Sequence, residues 1–324
     1  MKTWKLAPVG IALAITIASF DAVFAEPYPR GPISFLVPYA PGGSADIVAR
    51  VIGAKLQERL GKPVVIENRP GGSEKVATEA LTRSAPDGQT IAIFSNAIAI
   101  NQTLSSDLRY DVRKDLIPVL RLIELPFAIV VHPSVPANTL QELVALAKAK
   151  PGELNYGHLG PGSPHFFVME WFKHASGIDI VPVPYRGAAP AYAALVSGEV
   201  QVIASGLGAA TPFIESKQVR PLAALSSKRP STLPSLPTMA EVGYGDFKLV
   251  SWMGIFVPTG TPSEIIERLQ SEFLGALESS DVRERLANLS LEPAPMSRTS
   301  FTAFVDEEIN NWAKVVKQTT PNPQ

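Results

Sequence analysis

The 324-residue chain contains no cysteine. That excludes a thiol nucleophile, a zinc–thiolate centre and a lipid-anchored N-terminal cysteine, and it agrees with an oxidising compartment. No sign of charge dominates: 29 Lys and Arg stand against 30 Asp and Glu, for a net charge of −1. A basic footprint for nucleic acid and a polybasic membrane patch are therefore both missing. Also absent are the G-x-S-x-G nucleophile elbow, the G-x-x-x-x-G-K-[ST] phosphate loop and H-E-x-x-H. A dispersed Ser/His/Asp triad leaves no sequence signature and stays open as a minor alternative. No internal repeat or low-complexity tract is present, and only one apolar run is long.

That run lies at the start. Lys2 and Lys5 precede Leu6 to Phe20, which are almost wholly apolar, and Asp21 to Ala25 end in Val23-Phe24-Ala25. This basic, apolar and small-residue order is that of a secretory signal peptide over residues 1–25, with cleavage expected after Ala25. The run is shorter than the roughly 20 residues a spanning helix needs, and it carries Pro8 and Gly10. The expected product is periplasmic.

From residue 26 onward, short β-branched runs alternate with helical patterns, as in α/β architecture. Ile33 to Val37 reads as a strand, Ala45 to Leu60 as a helix, and Val64 to Glu67 and Thr90 to Phe94 as further strands. After Phe127 to Val131 and a helix from Thr139 to Lys150, a similar unit begins near Leu154 to Tyr156. Beyond Pro262 the pattern is essentially helical, with stretches 263–279, 281–288 and 299–317, and those helices have no strands of their own to cover. The economical arrangement is two lobes: residues 26–124 and 253–324 form the first, and 125–252 are inserted as the second.

Two loops carry the chemistry. Pro41-Gly42-Gly43-Ser44 and Gly160-Pro161-Gly162-Ser163 each join a strand to a helix, one in each expected lobe. Glycine lets backbone N–H groups approach a ligand, and a helix start leaves donors unpaired, so such a junction suits an anion. Ser44 and Ser163 could equally serve as helix caps. Asp46 could balance the helix dipole, orient the loop or meet a ligand donor. His158 and His165 flank the second loop without a supporting carboxylate, so a polar lining is expected there and no metal or other cofactor.

The ordered blocks Val37-Pro38-Tyr39-Ala40-Pro41-Gly42-Gly43-Ser44-Ala45-Asp46, Val65-Ile66-Glu67-Asn68-Arg69-Pro70-Gly71 and Ala85-Pro86-Asp87-Gly88 continue through Asn155-Tyr156-Gly157, Gly160-Pro161-Gly162-Ser163-Pro164-His165 and Val183-Pro184-Tyr185-Arg186-Gly187. They end with Leu233-Pro234-Ser235-Leu236-Pro237-Thr238 and Trp252-Met253-Gly254 with Pro258-Thr259-Gly260-Thr261-Pro262. Together they resemble the substrate-binding proteins of tripartite tricarboxylate transporters, the Bug family, along essentially the whole mature chain. The resemblance implies an α/β periplasmic binding protein, a type II-like Venus flytrap, that holds a small carboxylic acid between its lobes. It also implies delivery to membrane transporter subunits, and neither catalysis nor a nucleic-acid partner. A monomer is expected. A receptor feeding a two-component sensor shares the same binding physics, and neighbouring genes would separate the two.

Carried onto this chain, the ligand grip comprises Tyr39, Ala40, Pro41, Gly42, Gly43, Ser44 and Asp46, with His158, Leu159, Gly160, Gly162, Ser163 and His165 from the second lobe. Ser95, Tyr185, Gly187, Ala188 and Ser205 are added by their places at strand ends facing the cleft. Four departures from the family pattern stand out. Ser73-Glu74-Lys75 replace the glycines usual after Pro70-Gly71, His158-Leu159 replace serines, Phe166 replaces a second histidine, and the usual aspartates near Gln201 to Gly206 are missing. Selectivity is therefore expected at His158, Leu159 and Phe166, and the shared carboxylate grip in the first loop.

Overall fold

The computed structural model describes residue 1 and residues 28–105, 107–226, 228–245, 251–289 and 291–319. The expected signal segment, Met1 apart, lies outside the described residues. The chain first lays down β1 (Ile33–Val37), α1 (Ser44–Leu60), β2 (Val64–Asn68), α2 (Lys75–Thr82), β3 (Thr90–Ser95), α3 (Asn96–Leu104), α4 (Val112–Asp115) and β4 (Leu116–Leu125). It then builds β5 (Phe127–Val131), α5 (Leu140–Ala149), β6 (Asn155–His158), α6 (Pro164–Ser176), β7 (Val181–Pro184), α7 (Ala188–Ser197), β8 (Val202–Gly206), α8 (Leu207–Glu215) and β9 (Arg220–Leu225). It returns through β10 (Ser251–Pro258), α9 (Ser263–Glu278), α10 (Ser280–Ala287), β11 (Glu292–Met296) and α11 (Arg298–Thr319).

The strands form two mixed sheets, ordered β11-β4-β10-β3-β1-β2 and β7-β6-β8-β5-β9. In the first, β1 runs parallel to β2 and β3, while β10 runs antiparallel to both β3 and β4. In the second, β6 is parallel to β7 and β8, and β5 is antiparallel to β8 and β9. Helices on both faces bury strands such as β5 and β10 along their whole length, which is why these read as unbroken apolar runs. Only Pro126 separates β4 in one sheet from β5 in the other, so the crossing is nearly a straight continuation.

The structure departs from the sequence reading in three places. Leu125, Ser251 and Trp252, assigned to the second lobe, pair within the first sheet. Between the expected helical stretches 281–288 and 299–317, where the sequence reading assigns no element, Glu292–Met296 adds an edge strand, β11, to β4. Pro293 and Pro295 disguised it, since proline is tolerated only where one side of a strand is unpaired. Helix α3 was not foreseen, because its first six residues are all buried and show no polar face. The returning helices pack on the first sheet's side of the molecule, α9 on α1 and α11 on α3 and β4. Phe301 of α11 lies over Gly254 of β10, where any Cβ would strike its ring.

Candidate ligand-binding site

The parallel strands β1, β3 and β6, together with β8, end on a common cleft between the sheets, the usual ligand position in open α/β sheets. Each is followed at once, or after a short loop, by a helix that starts at the cleft. A cavity of about 30 Å³ is walled by Ser44 and Ala45 at the start of α1, Ser95 before α3, Pro164 and His165 opening α6, Ala188 opening α7 and Gly206 before α8. Five helix N-termini thus meet around one small volume, each carrying roughly half a positive charge. Side chains cap α3 and α6, Ser95 accepting from Ala97 N and Ser163 from Phe166 N. The starts of α1, α7 and α8 follow Gly43, Gly187 and Gly206 and have no side-chain cap. At α8, Leu207 N already donates to Pro126 O at 2.9 Å, so the opening N–H groups of α1 and α7 are the ones that remain available to an anion. Among the described residues no Lys or Arg lines this cavity.

Of the residues expected to grip a ligand, Tyr39, Gly43, Ser44, Ser95, Leu159, His165, Ala188 and Ser205 line the cavity. Tyr39 and Leu159 also border an adjoining groove of about 1010 Å³, which Gly160, Gly162, Tyr185 and Phe166 share. The remaining expected residues stand behind these walls. Asp46 is buried and binds its own loop: one oxygen accepts from Gly42 N at 3.0 Å and Arg50 Nε at 2.9 Å, the other from Asn68 Nδ2 at 2.9 Å. Burial opposes its charge, but the bonds from Arg50, Gly42 and Asn68 outweigh that and hold its carboxyl below the ordinary value. Of its three possible roles, the contacts support orientation of the loop.

Ser163 is likewise buried and occupied, donating to Gly160 O at 2.7 Å while it caps α6. His158 is not in the wall. Its ring lies between those of Tyr156 and Phe166, at 5.7 and 5.0 Å, and Nδ1 accepts from Gly160 N at 3.1 Å. It shapes the second loop from behind. His165 is half-buried, with its Nδ1 enclosed and lacking a partner, and desolvation, reinforced by His158, pushes it down to about 3. It is a neutral imidazole facing the cavity. Tyr39 Oη is also buried without a partner.

Ala40, Gly42 and Gly187 lie where the two lobes meet rather than line the space, and Pro41 is exposed. A Cβ on Gly187 would lie 2.8 Å from Ala40 Cβ, and one on Gly42 would touch Ala189. On the opposite side, the second loop meets Ser73 and Asn101 of the first lobe. Ser73 Oγ donates to Leu159 O at 3.1 Å, and Cβ atoms on Gly160 or Gly162 would strike Ser73 or Asn101.

Sequence reasoning did not select Leu125, Phe127, Ser251 and Met253, which complete the cavity from the crossing strands. Nor did it select Glu74 as a site residue. Glu74 is fully buried, its carboxylate accepting from Ser95 Oγ at 2.6 Å and Ser95 N at 3.0 Å. Its only trace was an acid where glycines are usual. The backbone explains that usage, since Ser73 and Glu74 have φ of 53° and 84°, in the left-handed region that favours glycine.

Residues 48–320 match the family described as tripartite tricarboxylate transporter family receptor. The chain belongs to this family. It is 36% identical over 319 residues to Protein BugT of Bordetella pertussis, covering 98% of each chain. The structure of the periplasmic binding protein BugD superposes with a TM-score of 0.88 at 28% identity, over 90% of this chain and 98% of that one. An R. palustris protein solved with adipate gives a TM-score of 0.87 at 33% identity, over 90% of this chain and 98% of that one. The fold is the two-lobed α/β fold of periplasmic binding proteins.

Proposed function

We propose that this receptor captures a small carboxylic acid in the cleft and presents it to the membrane subunits of a tripartite transporter. The observation that carries the carboxylate is the convergence of five helix N-termini on a cavity whose wall, among the described residues, has no Lys or Arg. Charge-assisted hydrogen bonds contribute about 1.5–3 kcal/mol each, and micromolar binding needs about 8 kcal/mol. Three or four backbone donors with Tyr39 and His165 therefore reach that range after ordering costs. The cavity takes the carboxylate head, and Leu159 and Phe166 offer apolar surface toward the groove for its body. The adipate found in a relative supports an acid of this size. Export follows from the signal pattern over residues 1–25, and the intact mass of periplasmic material is expected to begin at Glu26.

The test is a thermal-shift and calorimetric panel of adipate, malate and phenylacetate beside their neutral amides. At a hundredfold excess over Kd, binding adds about 2.7 kcal/mol of stability, a shift of several degrees. At least one acid is expected to give it, and its amide none. Equal shifts from acid and amide, or no shift from any acid, would overturn the proposal.

A further inference from the structure

Glu74 is an acid built into the back of an anion site. It sits at φ 84°, a conformation costly for a side-chain-bearing residue, and is wholly enclosed. Ser95, which binds its carboxylate through both Oγ and N, lines the cavity, and so does Tyr39, whose phenol neighbours Glu74. Among the described residues no basic group pairs with it. The charged and titratable groups around it are few. Tyr39 faces it from the loop after β1, and Tyr110 from the segment before α4. Lys75, next in the chain, is paired with Asp107 at 3.6 Å. His165 and His158 stand across the cavity, and burial lowers both, disfavouring their charged forms.

We propose that Glu74 sets the charge the cleft accepts: protonated, it leaves the Tyr39 hydroxyl free to donate to a bound carboxylate, and ionised, it turns that hydroxyl away and repels the ligand. This rests on the carboxylate function proposed for the cleft. Tyr39 Oη makes no hydrogen bond of ordinary length in the protein but lies close enough to Glu74 to interact with it, so its proton can turn to Glu74 or to a bound ligand. An ionised Glu74 would be the stronger acceptor and would leave a lone pair facing the cavity. It would also place a second negative charge beside the ligand in a dry site. Binding to the ionised form therefore takes up one proton from solvent, which goes to Glu74. Burial supports this, pushing its carboxyl up to about 8 against the opposing bonds from Ser95.

The affinities of adipate, malate and phenylacetate are to be measured by calorimetry from pH 6 to 9.5 for the native protein and for Glu74→Gln. In the native protein affinity is expected to fall by up to about tenfold per pH unit above pH 8. Proton uptake approaching one per ligand should appear when buffers of different ionisation heat are compared, and Glu74→Gln should be flat. The same slope in both proteins overturns the proposal. If no acid binds even at pH 6, the carboxylate function fails on its own. Infrared spectra of the ligand-free protein then decide Glu74 separately. Glu308 is a second buried acid raised by burial, so Glu308→Gln is the control. A protonated-carboxyl band at pH 7 that survives in Glu308→Gln is expected, and its complete loss there overturns the proposal, even if Glu74→Gln does not fold.

Discussion

Closure of the lobes onto a ligand depends on a contact one methyl group deep. Gly187 has φ 172° and ψ 172°, an extended conformation open to alanine, so Gly187→Ala has no reason to damage the fold of its own lobe. Its new Cβ would lie 2.8 Å from Ala40 Cβ and 2.9 Å from Ala40 N, both across the cleft. Carbon atoms in ordinary contact stand about 3.5–4.0 Å apart, so the lobes must part by roughly 1 Å at this edge. A hydrogen bond stretched by that amount from about 3 Å is no longer one. Losing one charge-assisted bond across the cleft costs about 1.5–3 kcal/mol, which is about 10- to 150-fold in affinity. Calorimetry on Gly187→Ala, with the best acid of the panel, should show a loss in that range. The melting midpoint without ligand should move little. Native affinity in the variant would refute the close-approach argument, and a large fall in the ligand-free midpoint would show that the glycine serves the fold instead.

Two further outcomes follow from the supporting residues. The Asp46 carboxylate, held below its ordinary value, contributes stability that is present above the unfolded value near 4 and lost as pH falls through the folded one. Asp46→Asn should cost about 1–2 kcal/mol at pH 7, discounted for the exposure of Arg50, and urea melts from pH 5 to 2 should show a shallower decline than the native protein's. Leu159→Ser should change the rank order of acids because Leu159 borders both cavity and groove. His158→Ser should instead weaken all of them together and lower stability by about 2–4 kcal/mol; a changed rank order from His158 alone would return that ring to the selectivity wall.

How far the sequence carried can be followed along the chain. Strands such as Ile33–Val37 and Thr90–Ser95 are short apolar runs closed by turn residues, and each announces itself locally. The glycine-rich junctions before α1 and α6 were legible for the same reason, since a parallel strand must end where its helix begins. Helix α3 was not, because its first six residues are all buried and leave no periodic polar face. Strand β11 was hidden by its prolines, whose tolerance depends on an edge position fixed only by pairing with β4.

The site divides along the same line. Residues whose place follows from a strand end, such as Ser95, Ser205 and Ala188, reach the cavity wall. Whether a loop residue faces the ligand or stands behind it depends on partners far away in sequence. Asp46 looks inward only because Asn68 and Arg50 fix it, and Leu159 O meets Ser73 Oγ across 86 positions. Glu74 is the extreme case. Its conformation is one that sequence statistics assign to glycine, and its burial exists only once Ser95, the start of α3 and the loop after β1 have come together around it. The four departures from the family pattern therefore do not act alike. His158 is consumed by packing, Leu159 and Phe166 face the groove, and Glu74 reaches the ligand only through Ser95 and Tyr39. Since those two residues belong to the shared wall, a substitution outside the wall can alter what the common grip will hold.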